Sequence, residues 1–94
     1  MYKKELVAWL KDHDLMEPGH RNDDMVNLCI LATMEYGAPD SDEELVRNID
    51  NVVRDYNLSY SDDMGYDDFR SNMLRVLPYL KTWEHYGLEC YTIN

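Results

Sequence analysis

The side chains with the chemistry to act are concentrated in one third of this 94-residue chain. The stretch DYNLSYSDDMGYDDF, residues 55 to 69, sets Asp55, Asp62, Asp63, Asp67 and Asp68 among Tyr56, Tyr60 and Tyr66, with no basic residue between them. Carboxylates at such spacing suggest calcium. An EF-hand loop, however, needs oxygen ligands at positions 1, 3 and 5, glycine at 6, an aliphatic residue at 8 and glutamate at 12. Counted from Asp55, the first three places hold Asp55, Asn57 and Ser59. Tyr60 then stands in the glycine place, Asp62 in the aliphatic one and Tyr66 where the bidentate glutamate belongs. The stretch therefore reads as an acidic loop, not a calcium site.

Other chemistries fare no better. Asp12, His13 and Asp14 with His20, or Glu84 and His85 with Glu89 and Cys90, offer ligand types without a paired HExxH or CxxC spacing. Cys90 could act as a nucleophile only if the fold carried it to His85, His13 or His20. There is no GxGxxG, GxxxxGK[ST] or GxSxG, and the chain has four glycines, so phosphate-cradling and nucleophile-elbow turns are absent. Adjacent carboxylates such as Asp67 and Asp68 do not share a helix face. No catalytic residue, cofactor or metal ligand is assigned, and the chain reads as a non-enzymatic protein.

What remains is charge. Nineteen acidic against nine basic residues give a net charge of -10, which repels nucleic acid and anionic membranes. Asp40 to Asp68 contains ten acids against Arg47 and Arg54, a balance of -8 in 29 residues. A field so lopsided steers a basic partner and opposes acidic ones. Tyr56, Tyr60 and Tyr66 add wide contact area, and an arginine can stack on such a ring while pairing with a neighbouring carboxylate. The candidate partner-binding residues are accordingly Glu43, Asp50, Asp55, Tyr56, Tyr60, Asp62, Asp63, Tyr66, Asp67 and Asp68, and the expected partner is a basic, nucleic-acid-processing protein.

The elements that must position them are helical. Leu6, Leu10 and either Asp14 or Leu15, with Val7 and Trp9, predict a helix over residues 3 to 15, ended by EPGHRN. Asn22 can cap a second helix whose apolar residues, Met25 to Met34, cover most of its circumference before Gly37 and Pro39. SDEE, residues 41 to 44, reads as a capping box, and Leu45, Val46, Ile49, Val52, Val53 and Tyr56 define an amphipathic third helix to about Asn57. Its other face carries Glu43, Arg47, Asp50 and Arg54. Phe69, Met73, Val76 or Leu77, Leu80 and Trp83 continue the pattern, with a kink or two abutting helices expected at Pro78. Gly87 ends the last helix, and LECYTIN can pack as a short extended segment. The expectation is one all-α domain over residues 1 to 94, a compact bundle of four to five short helices.

Cys29 lies in the apolar run VNLCILA, where a thiol behaves as a small hydrophobe, so a reducing, cytoplasmic setting is expected. MYKKELVAWLKDHD reads as neither a signal peptide nor a membrane span. In size and charge the chain is similar to small acidic inhibitors of nucleic-acid enzymes: phage-type DNA mimics, anti-CRISPR proteins and the immunity proteins of nuclease toxins. The similarity covers no residue motif; it implies that carboxylates stand in for phosphates and block a basic groove. The alternative is a structural or homo-oligomerising helical domain, self-associating through an apolar face such as one with Trp9 or Trp83, whose acidic face only confers solubility. The two separate on one variant: replacing Asp62, Asp63, Asp67 and Asp68 by asparagine should abolish salt-sensitive capture of a basic protein, and unchanged capture would remove the inhibitor reading.

Overall fold

Helix α2 (Arg21–Tyr36) is apolar around most of its girth, and a helix of that kind has to be enclosed by others. The computed structural model describes residues 2–15, 21–60 and 65–79. In it α1 (Tyr2–Asp12), α3 (Asp42–Asp55) and α4 (Tyr66–Val76) all lie against α2. Met25, Leu28, Cys29, Leu31 and Ala32 of α2 are fully buried between them, which makes the protein an all-α bundle built around this helix. Burial also pushes the Cys29 thiol up to about 12, so it packs as a small apolar group. The element ends carry most of the differences from the sequence expectation.

α1 stops at Asp12 instead of running to residue 15. His13 Nδ1 donates to the Trp9 carbonyl at 2.6 Å, and its ring stacks on the Trp9 indole with centroids 3.8 Å apart, so a side chain takes up an acceptor of the last turn. Leu15 is buried all the same, by another route. Its N–H donates to the Ser59 carbonyl at 2.9 Å and it forms an isolated parallel bridge with Tyr60. α2 is already helical at Arg21, which puts Asn22 inside the first turn and not at the cap. Asp24 is fully buried in that turn, where the helix dipole favours negative charge. Gly37, at φ 82°, then reverses the chain while its N–H bonds the Thr33 carbonyl at 2.8 Å.

α3 opens on the expected cap, with Ser41 Oγ accepting from the Glu44 N–H at 3.2 Å. The return contact falls one residue early: the Glu44 carboxylate accepts from the Asp40 N–H, not from Ser41. Leu45, Val46, Ile49, Val52 and Val53 are buried as their spacing requires. At the C-terminus the Asn57 N–H reaches the Arg54 carbonyl at 3.1 Å and the Leu58 N–H reaches the Val53 carbonyl at 2.9 Å. This is a Schellman motif, with Asn57 at φ 52° and buried Leu58 packing under the turn. α4 buries Phe69, Met73 and Val76, and a 3-10 turn, Leu77–Tyr79, takes over just before Pro78, which cannot supply a helical N–H. Leu80, Trp83, Gly87 and the LECYTIN segment lie outside the described residues.

The Asn57 turn can be tested directly. Asn57→Ala places an ordinary side chain in left-handed backbone and should cost about 1 kcal/mol in urea unfolding, whereas Asn57→Gly should be close to neutral.

Candidate functional site

On α3, Glu43, Arg47, Asp50 and Arg54 recur at steps of four, three and four, so they form one stripe beside the buried face. On α4, Tyr66, Arg70 and Leu74 do the same. The two stripes form the walls of a groove with a hollow at each end. One hollow, of about 390 Å³, is lined by Asp42, Glu43, Arg47, Arg70 and Leu74 over Val46. The other, of about 310 Å³, is lined by Asp50, Arg54, Asn57, Tyr60 and Tyr66 over Val53. Between them Arg70 Nε lies 3.4 Å from Asp50 Oδ2.

Asp50 is the most constrained acid of the groove. Its side chain is 20% exposed, against 43% for Arg70. Its Oδ1 is buried and accepts no hydrogen bond among the described residues. Tyr60 arrives beside it because the Asn57 turn reverses the chain and the bridge to Leu15 holds the next residues extended. The Tyr60 ring stacks on buried Phe69 with centroids 5.3 Å apart and meets Tyr66 at 6.3 Å in a tilted arrangement. Burial first, then a hydrogen bond to the Asp50 carboxylate, holds the Tyr66 phenol above its ordinary value. No family model, curated protein or solved structure matches the chain.

Asp50, Tyr60 and Tyr66 are thus the three sequence-nominated residues that the fold brings together, while Glu43 sits in the opposite hollow. Asp67 and Asp68 are exposed in the first turn of α4, where the dipole favours them, next to Tyr66. Asp62 and Asp63 lie outside the described residues. Tyr56 and Asp55 go to the α2–α3 seam instead. The Tyr56 hydroxyl donates to Glu35 Oε1 at 2.5 Å, and Lys3 of α1 pairs with the same carboxylate. The Tyr36 hydroxyl donates to Asp55 Oδ2 at 3.0 Å, and Arg54 Nε approaches Asp55 Oδ1 at 3.4 Å. Lys3, then Tyr56, holds the Glu35 carboxyl below its ordinary value.

Charge and motif patterns did not single out Arg70 or Leu74, and Asn57 entered only as an oxygen place in the rejected calcium loop. Arg70 and Leu74 follow Tyr66 at successive steps of four, and that spacing alone would have placed them on one wall. Among the described residues no three His, Cys, Asp or Glu side chains stand together as a metal site, and no helix is long and apolar enough to cross a membrane.

The Glu35 knot has a pH signature. A carboxyl whose folded pKa is lowered contributes stability above its unfolded value, near 4.5, and loses it as pH falls through the folded pKa. Glu35→Gln should therefore be less stable than wild type at neutral pH, with the gap closing in urea titrations as pH falls below about 4.5 and through the lowered folded value. Tyr56→Phe, which removes one hydrogen bond to a carboxylate, should cost about 1 kcal/mol at neutral pH.

Proposed function

We propose that this chain is a small acidic binding protein without catalytic activity, an inhibitor that covers the basic, nucleic-acid-binding surface of a defence enzyme or nuclease. Phage-type DNA mimics, anti-CRISPR proteins and immunity proteins act in this manner. The observation that carries the reading is the placement of acids around the α3–α4 groove. Asp42 and Glu43 line one end and Asp50 lines the other with two tyrosines, while Asp67 and Asp68 are exposed on the first turn of α4, next in sequence to Tyr66. On α3 and α4 the acids stand next to one another, Asp42 to Glu44 and Asp67 with Asp68, so they form short phosphate-like clusters. Arg47, Arg54 and Arg70 interrupt any longer row, so the surface suits a local plug in a basic groove better than an imitation of a whole duplex. Binding of this kind gains most in association rate and weakens with salt.

One observation favours the oligomerising alternative: Tyr66 and Leu74 are 42% and 44% exposed on the same wall. Arg70 stands between them, however, and breaks that wall as an apolar patch.

The test uses the immobilised full chain, a lysate stripped of nucleic acid, and two challenges. A captured nucleic-acid enzyme should be released both by salt and by added duplex DNA, since the inhibitor and the DNA would share one surface. Capture that resists DNA, or no salt-sensitive capture at all, counts against the reading. A stable dimer at micromolar concentration in analytical ultracentrifugation would transfer support to the oligomerising domain.

A further inference from the structure

We propose that the hollow lined by Asp50, Tyr60 and Tyr66 receives a single arginine side chain of the partner, and that Arg70 is its stand-in while the protein is free. The proposal deepens the inhibitor reading and rests on it.

Three observations converge on a guanidinium. The first is a loosely held carboxylate: the Tyr66 hydroxyl is directed at it, yet Asp50 Oδ1 has no close hydrogen-bond donor among the described residues, and the cation facing Oδ2, Arg70 Nε, stays at 3.4 Å. Charge-assisted N–H···O contacts usually close to about 2.7 to 2.9 Å, so this pair is loose, and Arg70 is 43% exposed. Buried carboxylate oxygens left without donors are costly, so a better-placed cation is favoured. The second is the aromatic lining. Tyr60 has one ring stacked on Phe69, and Tyr66 is tilted against it with 42% of its surface open, which offers faces for a planar cation. The third is size. A hollow of about 310 Å³ lies at the bottom of the range of small-molecule pockets, about 300 to 1,000 Å³, and suits one long side chain better than a cofactor.

Arg54 also lines the hollow, but its guanidinium is turned to Asn51 Oδ1 at 3.0 Å and to Asp55 at 3.4 Å, so its charge is already engaged. An incoming arginine displaces Arg70 from the Asp50 edge and binds the carboxylate through its fork while stacking on tyrosine. A lysine ammonium is a compact, strongly hydrated point charge and gains neither the fork nor the stack.

Labelled octa-arginine and octa-lysine peptides, titrated into the full chain at low salt and followed by anisotropy, test the assignment. Wild type should prefer octa-arginine by about ten-fold. Asp50→Asn should erase that preference, and Arg70→Gln should tighten octa-arginine binding several-fold by freeing the Asp50 edge. Circular dichroism confirms that each variant is folded, and Arg70→Gln gives an independent reading if Asp50→Asn is not. A preference that survives Asp50→Asn, or weaker octa-arginine binding by Arg70→Gln, overturns the proposal. Equal binding of both peptides, reduced by salt and by Asp67→Asn with Asp68→Asn, overturns the arginine receptor but leaves the acidic-surface reading standing. Binding of neither peptide at low salt removes both.

Discussion

A helix with apolar side chains on nearly every side cannot face water, and the rest of this bundle follows from that constraint. α2 exposes no continuous polar face over Met25 to Thr33, so α1, α3 and α4 must each cover a strip of it. Fully burying one leucine is worth about 2 kcal/mol, and Leu28, Leu31, Leu10, Leu45 and Leu15 all reach full or nearly full burial here. For a chain this short such contacts are the main resource against conformational entropy. A consequence for the surface follows: α3 and α4 take their positions from α2, and the cleft between their outer stripes is what their side chains leave unfilled.

The position of the aromatic wall depends on a second, smaller chain of causes. Asn57 tolerates left-handed backbone, Leu58 drops into the core beneath it, Ser59 offers its carbonyl to Leu15, and Tyr60 then lies against Phe69. Each step is local, yet the bond from Leu15 joins the exit of α1 to the exit of α3. Tyr60 is therefore held from three directions, whereas Tyr66, on the first turn of α4, keeps part of its ring exposed.

Much of the fold was legible because helical periodicity is strong in this chain. The buried residues of α3 are those their spacing marked, and the Ser41 cap has the expected donor. The ends were harder to read, because they are decided by single contacts: His13 on Trp9 shortens α1, and Leu15 is buried by a strand-like bond that no period encodes. The candidate site was legible as composition but not as partition. Charge clustering marked Asp50, Asp55, Tyr56, Tyr60 and Tyr66 alike; only tertiary packing sent Tyr56 to Glu35 and Asp55 to Tyr36 while leaving the other three together. Arg70 escaped notice because a lone arginine on a polar helix face has no signature of its own; its role comes from Asp50, twenty residues away in the chain and brought opposite it only by the packing of α3 and α4 against α2.

The position of Arg70 has a further consequence. Its side chain lines the hollow with Asp42 and Glu43, while its guanidinium holds the Asp50 edge of the other. A ligand that drew it toward one end would take it from the other, and by linkage such an effect would be equal in both directions. Seen thermodynamically, the two ends of the groove would then answer to one shared side chain.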